Sequence, residues 1–172
     1  MKTGVILGIH PQHESAVIPQ RATESSACWD ISACLVEDFR IQIYNEYNES
    51  YTRTIKNNSI AVFANERVLI PTGLILDIPV GHSVRVHPRS GLSVKSGISL
   101  INCEGVIDSD YVQQLYIPVI NHSDTSFVIF HGDRIAQFEL VRDLEFAVTV
   151  QDPPPPPKTS RDGGFGSTGI QS

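Results

Sequence analysis

The stretch RVLIPTGLILDIPVGHSVRVH (residues 67–87) sets the pattern that the rest of the chain follows. Branched apolar residues stand two apart at Val68 and Ile70, and again at Val84 and Val86, where Arg85 lies between them. This period of two is typical of a strand with one face buried, and the prolines and glycines between the runs indicate turns. The stretch therefore predicts short strands joined by tight connections.

The same short Val- and Ile-rich runs recur on both sides of this stretch. Examples are Trp29–Leu35, Tyr116–Asn121, Ile135–Leu140 and Phe146–Val150. No long window shows helical periodicity, and one or two short helical turns fit around Ser90–Ser96. Many short strands at near-regular spacing predict an all-β antiparallel sandwich or barrel.

Length and composition set limits on the function. The chain has 172 residues, which fits one domain with a tail. Its formal net charge is −6 and no basic stripe is visible in the sequence, which argues against a general nucleic-acid binder. No apolar run approaches the roughly 18 residues that a membrane span needs. The three cysteines, Cys28, Cys34 and Cys103, are too few for a disulfide scaffold, so we expect a reducing compartment and a cytoplasmic protein, in a host cytoplasm if the chain is viral.

Residues 37–59 form a polar segment that differs from its surroundings. Tyr44, Tyr47 and Tyr51 are interleaved there with Asn, Glu and Arg. Such tyrosines could stack on bases, but a solvated hairpin or a surface insertion into a domain covering residues 1–150 is the favoured interpretation.

The C-terminal segment also differs from the strand-like part. The five prolines of Pro153–Pro157 cannot pair in a sheet and predict a stiff polyproline spacer over residues 151–158. The glycine-rich stretch TSRDGGFGSTG (residues 159–169) cannot build a core. Composition alone leaves two readings open for residues 159–172, a frayed tail and an arm that folds over something.

The segment HPRSGLSVKSG (residues 87–97) collects groups that suit a phosphate. Arg89 offers a planar donor fork, Ser90 a hydroxyl, and Gly91 permits close backbone approach. The spacing is not that of a Walker loop, and a plain turn is the alternative.

The segment INCEGVIDSDY (residues 101–111) places acids after an apolar pair. Asp108 could act as a general base on water, and Asp108 with Asp110 could assist a magnesium-bound polyphosphate. A surface Asp-Ser-Asp turn is the structural alternative. Tyr111 could pack on a sugar ring or in the core.

In HGDRIAQFEL (residues 131–140), the amide of Gln137 interrupts an apolar run. A buried amide needs hydrogen-bond partners, which could be a ligand phosphate or the neighbouring backbone.

Taken together, these segments closely resemble the homotrimeric all-β deoxyuridine triphosphatase (dUTPase) family. All five ordered family motifs have counterparts, and Asp30 stands at the acidic position of the first. The matching stretches are PQRATESSACWDIS (19–32), PRSGLSVKSGI (88–98), NCEGVIDSDY (102–111), GDRIAQFEL (132–140) and RDGGFGSTG (161–169). They span nearly the whole chain in the expected order.

The resemblance implies a distorted jelly-roll subunit and a homotrimer whose three active sites each use residues of all three chains. It implies hydrolysis of dUTP to dUMP and pyrophosphate, which keeps uracil out of DNA and supplies dUMP for thymidylate synthesis. It also implies a Mg²⁺ cofactor that is held by substrate phosphates and waters rather than directly by protein ligands. The implied partner is the small-molecule substrate, with no direct contact to nucleic acid or membrane.

The resemblance also assigns roles to individual residues. Asp108 is implied as the general base. The phosphate contacts are Arg89, Ser90, Gly91 and Gln137. The hairpin that reads uracil comprises Asn102, Gly105, Val106, Ile107 and the backbone of Asp108. Tyr111 lies under the deoxyribose. In the tail that closes the site, Phe165 is the lid on uracil and the phosphate contacts are Arg161, Gly166, Ser167 and Thr168.

Two other functions are alternatives to this one. A dCTP deaminase shares the fold, but the third and fifth motifs are of the dUTPase type. A catalytically idle nucleotide sensor would not need the base at Asp108. The chain departs from the family pattern at Cys28, at Val112–Gln114, and in the four-residue spacing between Arg161 and Phe165, where five is usual.

Overall fold

The computed structural model describes residues 4–160, which form thirteen strands and one short helix. The elements in chain order are β1 (Gly8–Pro11), β2 (Trp29–Ser32), β3 (Arg40–Tyr44), β4 (Ser50–Thr54), β5 (Ser59–Val62), β6 (Arg67–Pro71), β7 (Leu74–Asp77), β8 (His82–His87), α1 (Ser90–Ser96), β9 (Ile98–Leu100), β10 (Gly105–Ile107), β11 (Tyr116–Asn121), β12 (Phe127–Phe130) and β13 (Arg134–Arg142).

The strands pair only in the antiparallel sense among the described residues. One sheet has the order β10-β8-β13-β2 and a second has the order β4-β3-β6-β11-β9, with two-stranded pairs β1-β7 and β12-β5 beside them. The predicted all-β fold is confirmed. Its sheets are open layers of the distorted jelly-roll type and do not close into a barrel.

The core forms because alternate residues of these strands face inward. In β3 the two isoleucines Ile41 and Ile43 are buried while the flanking Arg40 and Tyr44 are exposed. A buried polar group, Asn121, is fully satisfied at the end of β11. Its amide donates to the carbonyls of Val62 and Thr125, and its oxygen accepts from Ser123. This satisfaction removes the cost of burying the amide.

The sequence pattern does not predict two of the observed strands, and one strand that it predicts is wrong. The missed strands are β4, whose sequence SYTRT is polar throughout, and β10, which begins at a glycine. Both lie at a sheet edge, where one-sided burial weakens the apolar signal. The predicted strand Phe146–Val150 makes no sheet pairing in the structure, and its apolar side chains are exposed.

The polar segment 37–59 contains the hairpin of β3 and β4, which pair from Arg40–Thr54 to Tyr44–Ser50. Its inner residues belong to the core, since Ile55 is fully buried. None of the helices described within residues 4–160 is long and apolar enough to cross a membrane.

Candidate active site

Three neighbouring strands bring the polar residues of separate motifs together. On β13, Gln137 lies opposite His87 of β8 on one side and opposite Asp30 of β2 on the other. The chain leaves β8 at His87 and passes through Pro88 and Arg89 into α1. The first, second and fourth motifs therefore meet at one end of the four-stranded sheet.

A pocket of about 560 Å³ opens at this end of the sheet. Arg89 precedes α1 in an extended conformation, and Ser90 and Gly91 form the first residues of the helix. The walls include Asp30, Arg89, Ser90, Gly91, Lys95 and Gln137. The sequence-predicted phosphate residues of the described chain thus line one cavity.

The guanidinium of Arg89 is held from two directions. Its Nε lies 3.0 Å from Asp30 Oδ1, and its Nη1 donates to the backbone carbonyl of Arg134 at 2.9 Å. Asp30 uses its other oxygen, Oδ2, to accept from Arg134 Nη1 at 3.0 Å. The remaining donors of Arg89 are left for an anion in the pocket, because a guanidinium carries five N–H groups.

The amide of Gln137 is fixed against the same turn. Its Nε2 donates to the carbonyl of Pro88 at 3.0 Å. An amide nitrogen has a second N–H, so this group can also donate to a phosphate oxygen. Both readings of Gln137 from the sequence, backbone partner and phosphate ligand, are therefore compatible in geometry.

The pocket leaves room and positive charge for an anion. A Cβ built on Gly91 would meet no atom within 4 Å, so packing within the described chain does not require glycine there. Lys95 adds a second cation to the wall. Burial, and then the charges of Glu139 and Asp30, raise the pKa of the Cys28 thiol, which keeps this wall residue neutral.

The third motif contains strand β10, which pairs antiparallel with β8, so the predicted hairpin within the motif is an edge strand flanked by turns. Because β10 is the edge of its sheet, the backbone groups on its outer side have no strand partner within residues 4–160. A Cβ on Gly105 would lie 3.3 Å from Val86 and 3.6 Å from the Asn102 amide nitrogen. Val106 is half exposed beside this tight contact. This edge strand therefore offers backbone donors and acceptors that a planar base could meet.

Asp108 and Tyr111 follow β10 in a turn. The Tyr111 N–H donates to the carbonyl of Asp108 at 3.1 Å, and the Tyr111 hydroxyl donates to the carbonyl of Gln114 at 2.9 Å. Tyr111 is 40% exposed, so part of its side chain is accessible to a ligand. The Asp108 carboxylate is exposed, as a base that takes a proton from water must be.

Within one chain, Asp108 lies far from the phosphate pocket. Ile107 pairs with Val84, five residues before Arg89, and the antiparallel direction carries Asp108 further away. At about 3.3 Å per residue this places the backbones of Ile107 and Arg89 roughly 17 Å apart. The register thus separates Asp108 from Arg89 and Gln137 by most of the length of β8, while Gly105 lies opposite Val86 near the pocket end.

Two functional candidates were not assigned from the sequence, Arg134 and Lys95. Asp30 was noted as a motif position but given no role. Asp30 and Arg134 come together because β2 pairs with β13, and no local sequence pattern reveals that pairing. The predicted tail residues lie outside the described part of the chain; they are Arg161, Phe165, Gly166, Ser167 and Thr168.

Comparison with known proteins agrees with this geometry. The dUTPase family model matches residues 55–169. The deoxyuridine 5'-triphosphate nucleotidohydrolase of Finegoldia magna is 49% identical over 121 residues, covering 68% of this chain and 81% of that protein. The protein of the same name from Syntrophotalea carbinolica is 35% identical over 173 residues, covering 99% of this chain and all of that protein.

Solved structures support the same fold. The crystal structure of dUTPase from Streptococcus mutans superposes with a TM-score of 0.65 at 23% identity, covering 82% of this chain and 99% of that one. The dUTPase of Staphylococcus bacteriophage 80alpha with dUPNHPP superposes with a TM-score of 0.74 at 21% identity, covering 96% and 99%. From the family match and the full-length relative together, this chain belongs to the dUTPase family.

Proposed function

We propose that this chain is a dUTP diphosphatase, which hydrolyses dUTP to dUMP and pyrophosphate. The observation that carries the proposal is the pocket in which Arg89, Ser90 and Gln137 converge beside an unfilled space at Gly91. Its donors and cations suit a polyphosphate. Membership of the dUTPase family supplies the identity of the nucleotide.

The reaction cleaves the anhydride between the α- and β-phosphoryl groups. Asp108 accepts a proton from the attacking water, whose oxygen becomes bonded to phosphorus as the bridging bond breaks. Arg89 and the Gln137 amide donate hydrogen bonds that stabilise the negative charge on the leaving pyrophosphate. The free edge of β10 reads uracil, and a base with the wrong donors leaves buried backbone groups unpaired. The accessible part of Tyr111 packs on the deoxyribose and leaves no room for a 2′-hydroxyl.

Magnesium is the proposed cofactor, held by the phosphate oxygens and waters. The described residues contain no group of three or more His, Cys, Asp or Glu side chains that could hold a metal ion. Mg²⁺ keeps several waters and binds substrate phosphates with few carboxylates. When bound, the ion neutralises phosphate charge, and the residues of the chain provide the base and the remaining donors.

The active form is proposed to be a homotrimer with shared sites, as the resemblance to trimeric dUTPases implies. The separation of about 17 Å derived from the strand register supports sharing. A general base and a phosphate-binding arginine that act on one substrate must each come within about 3 Å of the group on which they act, measured between heavy atoms. One copy therefore supplies the Asp108 turn, and a second copy supplies the Arg89 pocket.

The domain organisation completes the proposal. Residues 1–150 form the β domain, residues 151–158 the proline-rich spacer, and residues 159–172 an arm that closes over the substrate. The support is the sequence itself. The five prolines stiffen the spacer, which lowers the entropy lost when the arm is ordered.

Pyrophosphate release in Mg²⁺ with dUTP, dCTP, UTP and dTTP tests the activity directly. We expect release from dUTP to exceed release from the other three nucleotides by orders of magnitude. Deamination of dCTP without pyrophosphate release would instead identify a deaminase. Binding of dUTP without turnover would identify a sensor.

Mixing two inactive variants tests the shared site. Asp108→Asn and Arg89→Ala are each expected to be inactive alone, because each removes one half of every site. After co-refolding, mixed trimers contain sites with an intact Asp108 from one copy and an intact Arg89 from another, and activity returns. Failure of the mixture to regain activity, with mixed trimers shown by mass, would place both residues in one chain's site.

A further inference from the structure

We infer that Gln114 is a positioning residue for Tyr111 and, through that ring, sets the selectivity for deoxyribose over ribose. The inference rests on the proposed function, in which Tyr111 packs on the sugar. It goes beyond that function by giving a role to a residue that lies outside the five matching motifs and has no proposed contact with the nucleotide.

The side chain of Tyr111 is held at its far end as well as at its backbone. Its hydroxyl donates to the backbone carbonyl of Gln114 at 2.9 Å, and its N–H donates to the carbonyl of Asp108 at 3.1 Å. With both ends held, the ring cannot shift sideways without breaking a hydrogen bond. In the proposed function the ring occupies the space that a 2′-hydroxyl needs, so a ring that shifts admits ribose.

The side-chain amide of Gln114 joins this carbonyl to two neighbouring elements. Its Oε1 accepts from the Gly73 N–H, between β6 and β7, at 3.0 Å. Its Nε2 donates to the hydroxyl of Tyr116, the first residue of β11, at 3.0 Å. Gln114 therefore connects the turn that carries Tyr111 to both strands of the sheet behind it.

The partner of this amide, Gly73, has a fixed position. It is buried at a φ of +68°, and a Cβ there would lie 2.9 Å from Cys34 Sγ and 3.0 Å from Ala16 Cβ. Its carbonyl accepts from the Gln12 N–H at 2.8 Å. A buried N–H without a partner is costly, so the Gly73 N–H favours the arrangement in which the Gln114 amide is bound.

A competing explanation assigns the position of the Gln114 carbonyl to the backbone alone. Leu115 follows directly and is itself paired. Its N–H donates to the Leu74 carbonyl at 2.8 Å, and its carbonyl accepts from the Thr72 hydroxyl at 2.7 Å. If that pairing were enough, the Gln114 amide would be dispensable for selectivity, and the two explanations predict different results for substitutions at this position.

The experiment measures kcat/KM for dUTP and for UTP by pyrophosphate release in Mg²⁺, and takes the ratio of the two as the selectivity. Gln114→Leu removes both side-chain hydrogen bonds, whereas Gln114→Glu keeps an acceptor for the Gly73 N–H and for the Tyr116 hydroxyl. Gln114→Leu is also combined with Tyr111→Phe, which lacks the ring hydroxyl. Gln113→Leu, the same change at the exposed neighbouring glutamine, is the matched control. All variants are full-length, and the melting temperature of each is recorded.

We expect Gln114→Leu to lower the dUTP/UTP selectivity about fivefold, the net size of one lost hydrogen bond. Gln114→Glu and Gln113→Leu should keep the selectivity of the natural chain. In the Tyr111→Phe background, Gln114→Leu should cause no further fall. A Gln114→Leu variant with unchanged selectivity, whether or not both rates fall together, overturns the inference. An equal fall in the Tyr111→Phe background also overturns it, because the effect would not pass through the ring hydroxyl.

If Gln114→Leu does not fold, Gln114→Asn decides by the same criteria, since its amide is one methylene too short to reach both partners. A natural chain that hydrolyses dUTP and UTP alike overturns the inference and leaves the hydrolysis itself in place. A natural chain that hydrolyses neither nucleotide refutes the proposed function instead.

Discussion

At the scale of single residues, the glycine at position 91 is explained by ligand binding rather than by folding. It is the second residue of a helix, where glycine is a poor choice, yet no neighbouring atom of the described chain demands it. The empty space beside it belongs to the phosphate pocket. The residue therefore favours close approach of a ligand at a small expense in helix stability.

Gly91→Ala should change the stability of the protein and its activity in opposite directions. The melting temperature should stay the same or rise, because alanine favours the helix by a few tenths of a kcal/mol or more. The kcat/KM for dUTP should fall at least about tenfold, since the new methyl group occupies ligand space. Val94→Ala, an exposed site on the same helix, should leave kcat/KM unchanged. A fall in stability at Gly91→Ala with normal kinetics would assign the glycine to packing.

Asp108→Asn tests the general base at the same scale. The amide cannot take a proton from water, so kcat should fall by about 10²–10⁴-fold while the Kd of α,β-imido-dUTP changes only a few fold. The matched variant Asp110→Asn removes a carboxylate two residues away on the same turn and should retain kcat within about tenfold. Comparable losses in the two variants would point to the charge of the turn rather than to one base.

At the scale of elements, a buried carboxylate ties the edge strand β4 to the turn before β6. Glu66 accepts two hydrogen bonds from the Arg53 guanidinium, at 2.8 and 2.9 Å, and one from the Phe63 N–H at 2.8 Å. The Tyr51 hydroxyl donates to the same group. The Arg53 guanidinium also lies 4.3 Å above the centre of the Phe63 ring. These contacts connect strands that the backbone ladder does not join directly.

The protonation of Glu66 follows from these contacts. Burial alone would raise its pKa, but the hydrogen bonds from Arg53, Tyr51 and the Phe63 N–H, together with the charge of Arg53, outweigh burial and lower it. A lowered folded-state pKa means that the ionised form stabilises the fold. This stability is present above the unfolded value of 4.5 and is lost as the pH falls through the folded-state pKa.

Glu66→Gln should therefore lower the free energy of unfolding at neutral pH by about 3 kcal/mol, the low end for breaking a buried ion pair, because Arg53 is partly solvated. The difference from the natural chain should shrink in acid, below 4.5, where Glu66 itself becomes protonated. Denaturant unfolding at fixed protein concentration, repeated across this pH range, measures both the loss of unfolding free energy and its dependence on pH. Glu46→Gln, in the exposed turn of the same hairpin, should change stability by less than about 0.5 kcal/mol. A difference that does not vary with pH would exclude the ionised pair as its source.

At the scale of the whole molecule, residues 146–150 make no sheet pairing with the rest of residues 4–160. The chain is anchored at Asp143, whose N–H donates to Gly81 and whose carboxylate accepts from Ser83. Beyond it, Phe146, Val148 and Val150 alternate as in a strand but are 79%, 86% and 101% exposed. The sequence prediction of a strand there is wrong for the single chain. An alternating apolar face of this kind is completed by another surface, and the proposed trimer provides one.

Val148→Asp should accordingly shift the proposed trimer toward monomer and abolish dUTP hydrolysis with it, because each site of the proposed trimer is built from two copies. Thr149→Asp places the same charge on the opposite face of the segment and should leave the trimer intact. Light scattering after gel filtration measures the mass of both variants. A Val148→Asp variant that stays trimeric, or two variants that behave alike, would show that this face plays no part in assembly.

The sequence by itself determined the all-β class, because period-two alternation and Pro/Gly punctuation are local and survive in any packing of strands such as β6 and β8. It also predicted the helical turn at Ser90–Ser96, and it singled out Arg89, Ser90, Gly91 and Gln137, which line one pocket, because these residues lie in recognisable motifs. Only the tertiary structure decided that Asp30 and Arg134 hold Arg89, and that Asp108 stands at the far end of β8. Those relations depend on strand register between residues far apart in the chain, and register is set by pairing and burial across the whole sheet rather than by any short run of residues.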